Sequence, residues 1–151
     1  MILIDTNALV ILLIGLINPS LIRRHRRTSI YEEQDFYDLI TLIGSFDKLT
    51  TLPNIWTEVD NLLNNSFSGE QKYKYVQEIT ALIKASSERL VESVKATENI
   101  HFSEIGITDS LILDYAKECD ILITSDSQLS DYALAYGIYV YDLVKIRNER
   151  L

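Results

Sequence analysis

Met1-Ile2-Leu3-Ile4-Asp5-Thr6-Asn7 opens the chain, and a near echo, Ile121-Leu122-Ile123-Thr124-Ser125-Asp126, stands near its end. Short apolar runs of this kind, closed by polar residues, read as strands buried on both faces rather than strands with one wet side. Each is followed by an aspartate, and a carboxylate at the end of a buried strand costs free energy unless a cation meets it. Two further acids stand in comparable places. Glu58 lies in the first turns of a helix that opens after Pro53, and Asp109 sits in Gly106-Ile-Thr-Asp-Ser110, where a loop turns into a helix. Several carboxylates converging in one fold point to bound divalent metal ions.

Working outward, strands and helices alternate. Strands are expected over residues 1–4, 49–52, 89–94, 121–124 and 138–141. The helix expected over residues 6–17 is apolar on nearly all faces and therefore buried. Ser29 with Glu32 makes a capping-box signature for a helix whose apolar face is Phe36, Leu39, Ile40, Ile43 and Phe46. Pro53 starts the next helix, to about Asn65, and Ser68-Gly69 begins a longer one with a stripe of Tyr75, Val76, Ile79, Leu82 and Ile83. A short helix over 97–104 ends at Gly106, Thr108 caps another to about Glu118, and two more cover 128–136 and 142–150. Residues 18–20 break the chain, and 21–28 read as an exposed connection. Strands separated by helices form a parallel sheet covered on both faces, a three-layer α/β/α sandwich with a twisted central sheet. Ligands gather beyond the carboxyl ends of such strands, so the four acids predict one pocket.

The 151 residues suit a single domain spanning 1–151, with no repeat or linker to divide them. Fourteen Lys and Arg against 22 Asp and Glu give a formal charge of −8, which excludes broad electrostatic adhesion to nucleic acid or anionic membrane. A local basic patch is not excluded. Arg23, Arg24, Arg26 and Arg27 fall within five positions and are candidate phosphate contacts as well as an ordinary solvated loop. A single cysteine, Cys119, rules out an intrachain disulfide and fits a reducing cytoplasm. The apolar stretch 9–17 lacks a basic flank and a cleavage site and is too short to span a bilayer, so no membrane association is expected.

Ile-Asp-Thr-Asn at the start, Trp-Thr-Glu-Val-Asp-Asn-Leu-Leu in the middle, Gly-Ile-Thr-Asp-Ser late and Ile-Thr-Ser-Asp near the end resemble a PIN domain. The resemblance covers essentially the whole chain, with the four acids in the family's order. It implies metal-dependent cleavage of RNA phosphodiesters, with Asp5, Glu58, Asp109 and Asp126 at the matching positions and Asn7 and Thr124 as polar helpers. It also implies a VapC-like toxin held in check by a small antitoxin protein, and homodimerisation is common among such domains. The stretch 18–31 with its arginines is longer than in a minimal toxin.

Phosphodiester hydrolysis needs an activated water, a stabilised transition state and a stabilised leaving oxygen, and two hard cations about 4 Å apart can supply all three. All-oxygen ligands suit Mg²⁺ or Mn²⁺. Asp5 and Asp126 are the expected direct ligands, Asp109 bridges or holds a second ion, and Glu58 ligates or acts through water. Each acid also has a structural reading. Asp5 is a natural N-cap, Asp109 favours a helix start, and Asp126 can open a turn. Asp60 competes with Glu58 but points to another face of the same helix, and Asp131 falls mid-helix. His25 and His101 fit no metal or triad spacing. A phosphatase of the haloacid dehalogenase type wants an aspartate where Asn7 stands, and a response-regulator receiver wants a set of acids and a late lysine that the chain lacks. A catalytically silent binding module is the remaining alternative.

Overall fold

The computed structural model of the chain describes residues 1–151. The opening run forms β1 (Ile2–Ile4), and Asp5 caps α1 (Thr6–Ile17). Then follow α2 (Glu33–Ile43), β2 (Leu49–Thr51), α3 (Pro53–Leu63), α4 (Gly69–Ala85) and β3 (Ser87–Glu88). The second half holds α5 (Val94–Thr97), α6 (Phe102–Ala116), β4 (Ile121–Thr124), α7 (Ser127–Ala135), β5 (Val140–Asp142) and α8 (Leu143–Glu149). The five strands make one all-parallel sheet in the order β3-β2-β1-β4-β5. From β1 the chain winds outward to β3, then crosses back to β4 and winds the other way. Right-handed crossovers place the helices of the two halves on opposite faces of such a sheet. Accordingly α1 packs against α2, α3 and α4, while α6 packs against α5 and α7. The result is the expected three-layer α/β/α sandwich.

The core runs through α1, where every residue from Ala8 to Gly15 is buried between the sheet and the other helices. Gly15 is required there by contact. A Cβ at that position would lie 2.1 Å from the Phe36 ring, so α1 and α2 touch through a missing side chain. Gly106 is required by conformation, since its φ of 80° and ψ of −172° lie in a region essentially reserved for glycine. The break it makes inside α6 separates the turn at Phe102 from the longer segment that begins with Thr108 and Asp109.

The structure corrects several expectations. The strand expected over 89–94 is instead the two-residue β3, which ends as the Arg89 N–H donates to the Thr51 carbonyl at 3.0 Å. Beyond it nothing covers Leu90, which is 80% exposed. The helix cap near residue 30 is Glu32, not Ser29, with the Glu32 N–H donating to Asp35 Oδ2 at 2.8 Å. Asp35 can be buried there because the Arg150 guanidinium lies 2.7 Å from Oδ1, a partner 115 positions away in sequence. Phe46 falls in a separate turn after α2, and on α4 Tyr75 and Leu82 are buried while Val76 and Ile83 face water. The helix expected over 97–104 is replaced by α5 and the first turn of α6, and β5 begins at Val140 rather than at residue 138. Nor is 21–28 merely an exposed connection. Ile22 and Thr28 are fully buried, and the Thr28 hydroxyl donates to the Ile22 carbonyl at 2.7 Å.

Candidate active site

The sheet changes winding direction between β1 and β4, which makes the space beyond their carboxyl ends the ligand crevice of this architecture. Asp5 follows β1 and Asp126 follows β4 after one intervening serine. Their strands pair in register, and the ladder runs on through the Asp5 N–H, which donates to the Ile123 carbonyl at 3.0 Å. Asp109 comes from α6 and Glu58 from α3. A cleft of about 380 Å³ is lined by Asp5, Thr6, Asn7, Glu58, Asn61, Leu62, Asp109 and Asp126. All four acids and Asn7 are thus brought together. Thr124 sits just beneath, fully buried.

Each carboxylate except Asp109 is held by uncharged donors. Asp5 caps α1 by accepting the Ala8 N–H at 3.0 Å through Oδ1, and its Oδ2 accepts the Thr124 hydroxyl. The same Thr124 oxygen accepts the Asp126 N–H at 3.0 Å, so one side chain ties two of the acids together. Asp126 in turn caps α7, accepting from the Leu129 N–H at 2.9 Å. Glu58 is gripped from both sides: Thr6 donates to Oε1 at 2.8 Å and Thr108 to Oε2 at 2.6 Å. Asp60 points elsewhere, accepting the Tyr75 hydroxyl at 2.7 Å, which settles its competition with Glu58. Asp131 lies exposed on α7. The capping reading of Asp5 is therefore correct as well, Asp126 caps a helix where a turn was the structural alternative, and both residues line the cleft.

Asp109 accepts no hydrogen bond, and none of the chain's seven ion pairs includes any of the four acids. Burial pushes the Asp109 carboxyl from 3.8 up to about 7, with Asp126, Asp5 and Glu58 adding to the rise. Burial also lifts Asp5 to about 6, against the opposing hydrogen bonds from Thr124 and Ala8. Both shifts register negative charge that is unwelcome in the folded chain without a counter-charge. The acids do not by themselves form a cage: no three of them stand close enough together to enclose an ion.

The arginine cluster divides. Arg23 pairs with Glu32 at 3.4 Å and belongs to a separate cleft with Asp35, Arg147 and Arg150. Arg24, Arg26 and Arg27 line a cleft of about 510 Å³ with His25, Asn61, Leu62, Asn65 and Ser66. His25 packs at a tilt against Phe67 with ring centroids 5.6 Å apart, His101 stacks on Tyr132 at 3.9 Å, and neither lines the acidic cleft.

Sequence reasoning missed the two threonines that hold Glu58. Thr6 sits inside Asp-Thr-Asn with no signal of this role, and Thr108, at a position that reads as a helix cap, makes no capping bond and donates to Glu58 instead. Their partner lies 52 and 50 positions away, a separation at which no local pattern can show a contact.

No family model and no curated protein matches the sequence. Among solved structures, the chain is similar to a domain of a functionally unknown protein from Methanocaldococcus jannaschii DSM 2661. The identity is 21%, the match covers 93% of this chain and 89% of that one, and the TM-score is 0.44.

Proposed function

We propose that this chain is a metal-dependent endoribonuclease of the PIN type, hydrolysing phosphodiester bonds in RNA. The observation that carries the reading is a cleft at the switch point of a parallel sheet, lined by four carboxylates that no cation in the chain offsets. A cluster of acids crowded into one cleft is costly without a cation, and where this chain buries a carboxylate elsewhere, at Asp35, it supplies Arg150 to meet it. Leaving four uncompensated points to a cation from outside.

The donor set fits Mg²⁺ or Mn²⁺ in a hydrated form. It is all oxygen, and Mg²⁺ keeps several waters while taking one or two carboxylates, so an enclosing cage is not required. One or two of Asp5, Asp109 and Asp126 would hold it directly, with the remaining acids and Glu58 reaching it through its waters. Such an ion supplies Lewis acidity and a counter-charge for the phosphate oxygens. The chain's own contribution is orientation. Thr124 fixes Asp5 relative to Asp126, and Thr6 and Thr108 fix Glu58 without cancelling its charge.

The test is cleavage of single-stranded RNA by the purified chain with Mg²⁺ or Mn²⁺, and its loss in Asp5→Asn. Asparagine caps helices as well as aspartate, so α1 keeps its cap and the fold survives. Activity should fall by more than the roughly 10- to 100-fold typical of changes outside the direct ligand set. Near-full activity in the variant would falsify the site. The finer proposal is that the nuclease is a VapC-like toxin restrained by a small antitoxin protein. Expressed alone, the wild type then slows growth and Asp5→Asn does not. A harmless wild type that still cleaves RNA makes RNA processing its role instead.

A further inference from the structure

Glu58, Asn61, Leu62 and Asn65 recur at the spacing of one helix face along α3 and the turn after it. Glu58 belongs to the acidic cleft, Asn65 to the arginine cleft, and Asn61 and Leu62 line both. The two clefts therefore adjoin, with the α3 stripe as their common floor. Seven residues of helix advance about 10 Å, so the basic side chains sit on that order of distance from the acids.

The arginines there have little other work. Arg26 and Arg27 are exposed, their guanidinium groups make no hydrogen bond, and neither enters an ion pair. Arg24 is steadied by Ser20, donating to its hydroxyl at 2.9 Å. Yet the segment that carries them is fixed. Ile22 and Thr28 anchor it in the core, the Arg27 N–H donates to His25 Nδ1 at 3.1 Å, and His25 packs on Phe67. A pre-set group of free guanidinium groups is what phosphate recognition uses, since their planar forks match phosphate oxygens. On a chain of net charge −8, this is a local exception to a repelling surface.

We infer that Arg24, Arg26 and Arg27 form a backbone-anchoring subsite that grips phosphates of a single-stranded RNA running from the acidic cleft across Asn61 and Leu62. The inference rests on the nuclease reading for its substrate class and adds where the strand lies. It also removes Arg23 from the substrate contacts, because that residue is paired with Glu32 in another cleft. A lone phosphodiester in the acidic cleft cannot reach the arginines, so binding should grow with RNA length.

The experiment measures binding, not cleavage, so it stands apart from the nuclease test. A fluorescent single-stranded 12-mer RNA is titrated against Asp5→Asn and against Asp5→Asn carrying Arg26→Ser and Arg27→Ser. Losing two phosphate contacts should flatten the slope of log affinity against log salt by about 1.4, so the affinity advantage of the parent shrinks about sevenfold between 50 and 200 mM salt. A charge-matched control, Lys48→Ser with Lys84→Ser, changes residues just before β2 and β3, at the sheet end opposite the cleft. It should leave the slope unchanged. If the control flattens the slope equally, the effect is diffuse charge and the subsite does not exist. If the arginine variant binds like its parent, the inference is overturned and the cluster is better read as a docking surface for an acidic protein.

Discussion

Asp109→Asn isolates the electrostatic cost of the cleft. In the folded chain this carboxyl is raised from 3.8 to about 7, by burial first and then by Asp126, Asp5 and Glu58. Between those pH values the folded state holds a proton that the unfolded chain has already released. The group's contribution to stability is thus fully present below about pH 4 and is lost as pH rises through about 7. At 1.36 kcal/mol per pH unit the whole span corresponds to about 4 kcal/mol. Asp109 is partly open to water and shares its protons with neighbouring acids, so screening brings the expected value to about 1–2 kcal/mol. Asparagine has the same shape and no charge to suppress. At pH 8 without divalent ions, Asp109→Asn should therefore melt roughly 2–8 °C above the wild type. At about pH 3.5 the wild-type carboxyl is largely protonated in both the folded and the unfolded chain, and the two proteins should melt nearly together. Thermal melts at the two pH values decide the matter. A gain of equal size at both, or a variant less stable at pH 8, would show that the acids do not repel one another as their environment implies.

Two further changes probe what surrounds the cleft. Replacing Thr6 and Thr108 together by valine frees both oxygens of Glu58. Metal-dependent cleavage should drop about 10- to 100-fold, and Mg²⁺ should raise the melting temperature less than in wild type, while serine at both positions restores the behaviour. Unchanged metal response in the valine variant would reduce the threonines to bystanders. Arg150→Ala leaves Asp35, 1% exposed, without its cation and loosens α8 from α2. The pair lies at the protein edge, with Arg150 28% exposed, so the loss should be about 1–3 kcal/mol, read as a lower urea midpoint, and an unshifted midpoint would rule the clamp out.

The fold was legible because its signals are local. An apolar run ending in a polar residue marks a buried parallel strand, and that signal alone places β1 and β4 within a residue. What failed was decided by distant partners. Leu90 and Val91 look like strand residues, but at the sheet edge nothing covers Leu90. Ser29 resembles a cap, but Arg150, far along the chain, lets Asp35 be buried and moves the cap to Glu32. The cleft divides in the same way. Its four acids stand at strand and helix ends, where position in the sequence speaks for position in the fold. The threonines that hold Glu58, and the Asn61 and Leu62 side chains shared with the arginine cleft, are defined by which elements meet, and no spacing reveals that.

The choice of threonine is the physical key to this cleft. Lysine or arginine could have held Glu58 and Asp5 more strongly, since bonds between charged partners are about twice as strong as neutral ones. Either would also have cancelled the charge it held. A hydroxyl fixes the direction of a carboxylate and leaves it negative. Thr6, Thr108 and Thr124 do this for Glu58 and Asp5, while Arg24, Arg26 and Arg27, none of them in an ion pair, lie in the neighbouring cleft. The elevated Asp5 and Asp109 carboxyls are the stability cost of that separation. A fold that needed these acids only as helix caps could have placed an arginine among them and gained stability. That none is there argues that the charge itself is what the cleft preserves, for a counter-charge that arrives with function.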